Sequence, residues 1–292
     1  MKKFLRNIGV FVLLSLVLMA IFQAVLVYPR KDLMTLPEGT TTVYMGNSTI
    51  ELSINDKLLA NSFNFGRGAE TFEMIYLKLK LIKHYNSGID TLVIGFDDMI
   101  LSLDDYIPNA SPKGVLIDAY SIKDWINNIN YYSIKNNKEF VSVLYHYSNI
   151  MPMLCYSLNI SRKGNYIGGF YGAQGFFDDE KRHDYRDIIV NKDNLDFPSI
   201  NKYYLDKIVE FCRENQITLI FLSTPKHRYF WTRIGYIYAH EKFYPNIPLI
   251  DCMNLEFPDS CFRDVVHLNH IGADKFTLQL KEILDKNLNK DH

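Results

Sequence analysis

Apolar positions fall into three kinds of run along this chain. Residues 8–28 are almost wholly apolar, broken only by Gly9, Ser15 and Gln23. As a helix rising about 1.5 Å per residue, that stretch matches a hydrocarbon core of roughly 30 Å, and it has no polar face to mark a surface helix. Short β-branched or continuously apolar runs bounded by turn residues predict strands over 41–45, 90–96, 217–222 and 248–252. Apolar residues at helical spacing (Phe72, Ile75, Leu79 and Ile82) predict a helix over 70–85, and further helices are expected over 200–215, 228–244 and 272–288.

Strands alternating with helices predict an α/β fold of three layers, α/β/α, with a mostly parallel sheet covered on both faces. The stretch 102–199 breaks the alternation. It is rich in Tyr, Asn and Ser and carries Gly164, Gly168, Gly169, Gly172 and Gly175, so it reads as an insertion of helices and long loops. The expected organisation is a basic stub over 1–7, a transmembrane signal anchor over 8–28, a linker over 29–40 and one domain over 41–292 containing that insertion. Ligands of open α/β sheets bind beyond the carboxyl ends of the strands. That directs attention to the segments after Met45, Phe96, Leu222 and Cys252.

Charge refines the picture. Lys2, Lys3 and Arg6 precede the apolar run, which places the N-terminus in the cytoplasm and the domain outside it, in the periplasm or at the cell surface. A cleaved signal peptide fits less well, because the run is long and closes on the poor cleavage site Ala24-Val25-Leu26-Val27. With 32 Lys and Arg against 33 Asp and Glu, the net charge of -1 offers nucleic acid no electrostatic footprint. A hydrophobic content of 48% with 22% charged residues excludes a disordered chain. Four cysteines in 292 residues do not form a disulfide scaffold. Cys252 and Cys261 could pair outside the cytoplasm, while Cys155 and Cys212 read as buried small residues.

Three segments near strand ends carry candidate chemistry. Gly46-Asn47-Ser48 follows the first strand, where a serine at a strand-to-helix turn exposes its hydroxyl beside the N–H groups of the next helix. Asp264-Val265-Val266-His267 precedes the last helix. A serine nucleophile needs a base, and the base needs a carboxylate that fixes its tautomer; Asp264 and His267 on one loop supply both. Asn64-Phe65-Gly66-Arg67-Gly68 offers a glycine turn through which a backbone N–H can approach an oxyanion. Each signal alone is weak, since turns and helix caps use the same residues.

Taken together and in this order, the segments resemble the SGNH (GDSL-like) hydrolase superfamily. Its first block, Gly-Asp-Ser, is here Gly46-Asn47-Ser48. Its Asn-x-Gly block is Asn64-Phe65-Gly66, and its Asp-x-x-His block is Asp264 to His267. The resemblance covers about 41–98 and 200–288. It implies a flavodoxin-like sheet, a Ser48–His267–Asp264 triad, and an oxyanion hole from the Ser48 and Gly66 N–H groups. The block Gly-x-Asn-Asp departs from the pattern: it reads Gly95-Phe96-Asp97-Asp98, and an ionised Asp97 in the asparagine's place would repel an oxyanion. Anchor plus domain is similar to extracytoplasmic proteins of cell-surface polysaccharide pathways, some of them O-acyltransferases or acyl esterases. That likeness implies a carbohydrate or acylated glycan substrate and a membrane acyltransferase as a partner.

The expected activity is therefore that of a membrane-anchored serine esterase or O-acyltransferase. Alternatives are an inactive glycan-binding or scaffold protein of envelope assembly, which Asp97 favours, and a lipase-type hydrolase. Asn47, Arg67, Lys226 and His227 are candidate substrate contacts; the last two follow the third predicted strand, where they could meet an anionic or sugar group. His267 and His270 have metal-like spacing but no third ligand near them, so no metal is expected. No cofactor is expected either: Gly66-x-Gly68 lacks the rest of a dinucleotide fingerprint, and no phosphate-binding loop occurs. The aromatic residues of the insertion could stack on sugar rings or pack it against the sheet.

Overall fold

The computed structural model describes residues 2–27, 35–68, 70–101, 168–178, 199–230 and 235–288. Two units emerge from its contacts, one comprising 1–35 with 111–167 and the other 36–110 with 168–292. In the first, the described part is helix α1 (Lys2–Val27), whose side chains from residue 19 onward lie outside the described residues. Phe11, Leu14 and Leu18 are exposed on it. Among the described residues no helix is long and apolar enough to cross a membrane. Most of the 102–199 insertion, with Cys155, also lies outside them.

The second unit is built on five parallel strands: β1 (Thr42–Met45), β2 (Ser62–Asn64), β3 (Thr91–Gly95), β4 (Thr218–Ser223) and β5 (Leu249–Asp251). Their order is β2-β1-β3-β4-β5, with Met45 opposite Ile94 and Leu222 opposite Ile250. This is a doubly wound, flavodoxin-like sheet. Its connections run in opposite directions from β1 and β3, and the crevice between those strands is where such sheets bind ligands.

Alternation sorts the strand residues onto two faces. Tyr44, Val93, Leu222 and Ile250 share one face with Ile50 and Ile54 and with Phe276 and Leu280. The last two belong to α7 (His270–Leu288), which packs beside the short helix α2 (Ser48–Ser53). Val43, Met45, Leu92, Ile94 and Phe221 are buried with the opposite parity. There Phe221 stacks on Phe96 at 4.3 Å and meets Tyr244 edge-on. Helices α3 (Phe72–Tyr85) and α5 (Ser199–Glu214) pack on each other. Two short helices complete the unit, α4 (Asp98–Leu101) and α6 (Gly235–Phe243).

One expectation changes and two further features appear. The helix expected over 228–244 is only Gly235–Phe243; Arg228 and Tyr229 form a turn after β4, and 231–234 lie outside the described residues. Residues 62–64 add a strand that the apolar runs did not predict. Cys252 and Cys261 are buried free thiols in the core rather than a disulfide. Burial, with Asp251 beside it, pushes the Cys252 thiol up to about 12.

Candidate active site

Asn47 follows β1 by two residues and caps α2. Its Oδ1 accepts from Thr49 N–H at 3.0 Å and from the Thr49 hydroxyl at 2.7 Å. Ser48 is therefore the first residue of a helix that starts at the carboxyl end of β1, and its own N–H has no acceptor within that helix. Gly46 permits the approach, since a methyl group there would meet Ile50 Cγ1 at 2.5 Å. Asn47 is buried and occupied with the cap, so the substrate contact expected of it is replaced by a structural one.

The far side of the site is a tight hairpin. Phe262 and Leu268 pair as an antiparallel bridge, and Arg263 N–H donates to His267 O at 2.9 Å. The Asp264 carboxylate closes the turn, accepting from Val266 N–H and His267 N–H, each at 2.9 Å. Both its oxygens also lie 2.9 Å from His267 Nδ1. Burial raises the Asp264 carboxyl, but the His267 ring and the two backbone N–H groups outweigh it and hold the carboxyl below its ordinary value. That leaves His267 Nε2 facing across the cleft, 2.7 Å from Ser48 Oγ.

Asn269 anchors this hairpin. Fully buried, it donates to Gly175 O, Ser260 O and Phe262 O and accepts from the N–H groups of Ile271 and Gly272, which caps α7. Gly272 is forced by contact: a methyl there would lie 2.1 Å from Cys261 O. The Gly272 contact and the bonds from Asn269 to Gly175 O, Ser260 O and Phe262 O were not legible beforehand, because those partners sit in other segments.

The turn after β2 forms a third wall. Phe65 N–H donates to Tyr44 O at 2.7 Å and Arg67 N–H to Gly46 O at 2.9 Å. Gly66 N–H, expected at an oxyanion, donates to Asn64 Oδ1 at 2.8 Å. Gly68, in the same predicted turn, stands beside the serine: a methyl on it would be 4.0 Å from Ser48 Cβ. Its N–H donates to Glu51 Oε2 at 2.7 Å. Arg67 is partly exposed, with Glu70 and Lys78 in its electrostatic neighbourhood.

Asp97, which stands where the resembled family has an oxyanion-binding asparagine, is engaged at both oxygens. One oxygen accepts from Ile100 N–H at 3.1 Å and the other pairs with Lys226 Nζ at 2.9 Å. Both side chains are 2% exposed. A carboxylate that accepts on both oxygens has no proton to donate. Lys226 is accordingly an ion-pair partner and also donates to Thr224 Oγ1. His227 is buried, stacked on Phe177 at 4.1 Å, with Nε2 3.2 Å from Asp259 Oδ1. Lys226 and His227 still border a pocket of about 580 Å³, lined also by Met253, Leu255 and Phe257. Among the described residues no group of His, Cys, Asp or Glu could hold a metal ion.

No family model and no curated protein matches the chain. Among solved structures, a crystal structure from Bacteroides fragilis NCTC 9343, provisionally described as an acylhydrolase, aligns with 87% of this chain and 90% of its own at 14% identity. Its TM-score of 0.39 is too low for the likeness to carry an argument.

Proposed function

We propose that the chain is a serine esterase or O-acyltransferase of the SGNH type that acts on acyl esters, acetyl above all, of cell-surface polysaccharide. The observation that carries this reading is the continuous line Ser48 Oγ, His267 Nε2, His267 Nδ1 and Asp264, joined at 2.7 and 2.9 Å. Ser48 attacks the acyl carbonyl while His267 takes its proton, and Asp264 stabilises the imidazolium. His267 then returns the proton to the leaving alkoxide. In the second half, water or a sugar hydroxyl attacks the acyl-serine with His267 again as base. Ser48 N–H is one donor for the oxyanion. A second requires Gly66 or Gly68 N–H to be shared with, or released from, its present acceptor.

The N-terminal helix serves in this proposal as the anchor that keeps the domain outside the cytoplasm, where a membrane acyltransferase could supply activated acyl groups. A second reading, an inactive glycan-binding or scaffold protein, has specific support in Asp97, which cannot donate, and in the engaged Gly66 N–H.

Full-length protein in detergent, given p-nitrophenyl acetate with and without an oligosaccharide acceptor, separates these readings. Release of nitrophenol that Ser48→Ala abolishes supports the enzyme, and acetyl recovered on the sugar rather than as acetate identifies transfer. Equal turnover by wild type and Ser48→Ala contradicts the proposal.

A further inference from the structure

Behind the turn that faces Ser48 lies a buried charge pair outside the triad. Lys78 on α3 is 2% exposed and Glu70 3%. Lys78 Nζ bonds Glu70 Oε1 and donates to Phe65 O at 2.5 Å. Glu70 Oε2 is buried without a hydrogen-bond partner among the described residues. Two ions taken out of water this completely are costly to bury, and an apolar pair of similar volume commonly stabilises a protein as well or better. Hydrophobic packing therefore gives no reason to have them there.

The position of Phe65 O suggests one. A trans peptide is planar, with its C=O and N–H pointing opposite ways. The carbonyl that Lys78 holds belongs to the same peptide as Gly66 N–H, which Asn64 Oδ1 holds from the other side at 2.8 Å. That peptide is fixed at both ends. The next residues hang from it: Arg67 N–H reaches Gly46 O, Glu70 N–H reaches Arg67 O, and Gly68 comes to stand beside Ser48. The turn also presses directly on α2, since a methyl on Gly66 would meet Glu51 N at 2.6 Å.

We infer that Lys78 is a positioning residue: by holding the Phe65 carbonyl it sets the Gly66–Gly68 turn against Ser48, while Glu70 offsets the charge of the buried ammonium. The inference rests on the reading of Ser48 as nucleophile. Burial pushes the Glu70 carboxyl up and the Lys78 ammonium down, and Lys78 Nζ keeps an N–H to donate to Phe65 O as an ammonium or as an amine.

Three full-length variants separate positioning from plain stability. Glu70→Gln keeps Lys78 on Phe65 O and should lower the melting temperature while leaving the rate of fluorophosphonate labelling per folded molecule within about twofold of wild type. Lys78→Met should lower both. The double variant Lys78→Met/Glu70→Met removes both charges and should regain stability, yet label about tenfold more slowly or worse, with the loss in the maximal rate and not in reagent affinity. Hydrogen exchange supplies a readout that needs no nucleophile: the amides of Gly66 and Gly68 should exchange about tenfold faster in the double variant, with β1 unchanged. Faster exchange with no labelling of wild type would sink the enzyme reading and keep the positioning role. A stable double variant with wild-type exchange and wild-type labelling would overturn the inference.

Discussion

At the scale of single residues, Asp264 contributes in two ways that can be measured apart. It holds His267 in the tautomer that leaves Nε2 free to accept, and its depressed pKa couples the fold to pH. The sign follows from linkage. A carboxyl whose folded pKa lies below the unfolded value of about 3.9 adds stability above that pH and loses it as pH falls through the folded value. Asp264→Asn should therefore flatten the drop in melting temperature below about pH 4, and slow Ser48 labelling by about 10²- to 10⁴-fold at neutral pH. An unchanged acid limb in thermal melts would remove Asp264 from the account. Asp97 makes the opposite case. Restoring the asparagine that the SGNH resemblance leads one to expect should not improve catalysis, because Asp97→Asn strands Lys226 as a buried unpaired cation. A stability loss of about 3–5 kcal/mol is expected by denaturant titration. Higher activity at unchanged stability would show that the pair is not what holds Asp97. Nothing in the local sequence announced this pair, since Lys226 arrives from the end of a different strand. The juxtaposition of Ser48, His267 and Asp264 was legible because each residue carries a local signature: a strand-end serine, and an Asp and a His on one short loop.

At the scale of elements, the strand and helix pattern was readable where runs were long. The predicted strands over 90–96 and 217–222 match β3 and β4 to within a residue at each end, and the 70–85 helix matches α3 to within two. Short elements failed for a physical reason. β2 is three residues long and, among the described residues, pairs with β1 alone, so its sequence carries no run to detect. The start of the predicted 228–244 helix failed because Arg228 and Tyr229 form a turn, with Phe230 N–H donating to His227 O at 2.7 Å. The hairpin bearing Asp264 and His267 is itself an element with one critical contact. Gly272→Ala would drive a methyl into the Cys261 carbonyl. It should cost about 1–3 kcal/mol as an overpacked core position does, and slow Ser48 labelling by displacing His267. A Gly272→Ala protein as stable and as reactive as wild type would mean that the hairpin and α7 are not rigidly joined.

At the scale of the whole molecule, the order β2-β1-β3-β4-β5 places the ends of β1 and β3 at the switch point, and Ser48 follows directly from β1. The hairpin before α7 and the turn after β2 then close on that point from two sides. The 580 Å³ pocket lies beyond β4, about two strand spacings away from β1. The central claim is that this arrangement activates Ser48. Its most direct test treats the full-length chain in detergent with a fluorophosphonate and reads intact mass and the modified peptide, beside Ser48→Ala and His267→Ala. The account predicts one adduct, on Ser48, that both substitutions abolish. A folded wild-type protein that takes up no adduct, or one labelled equally well without His267, would contradict it.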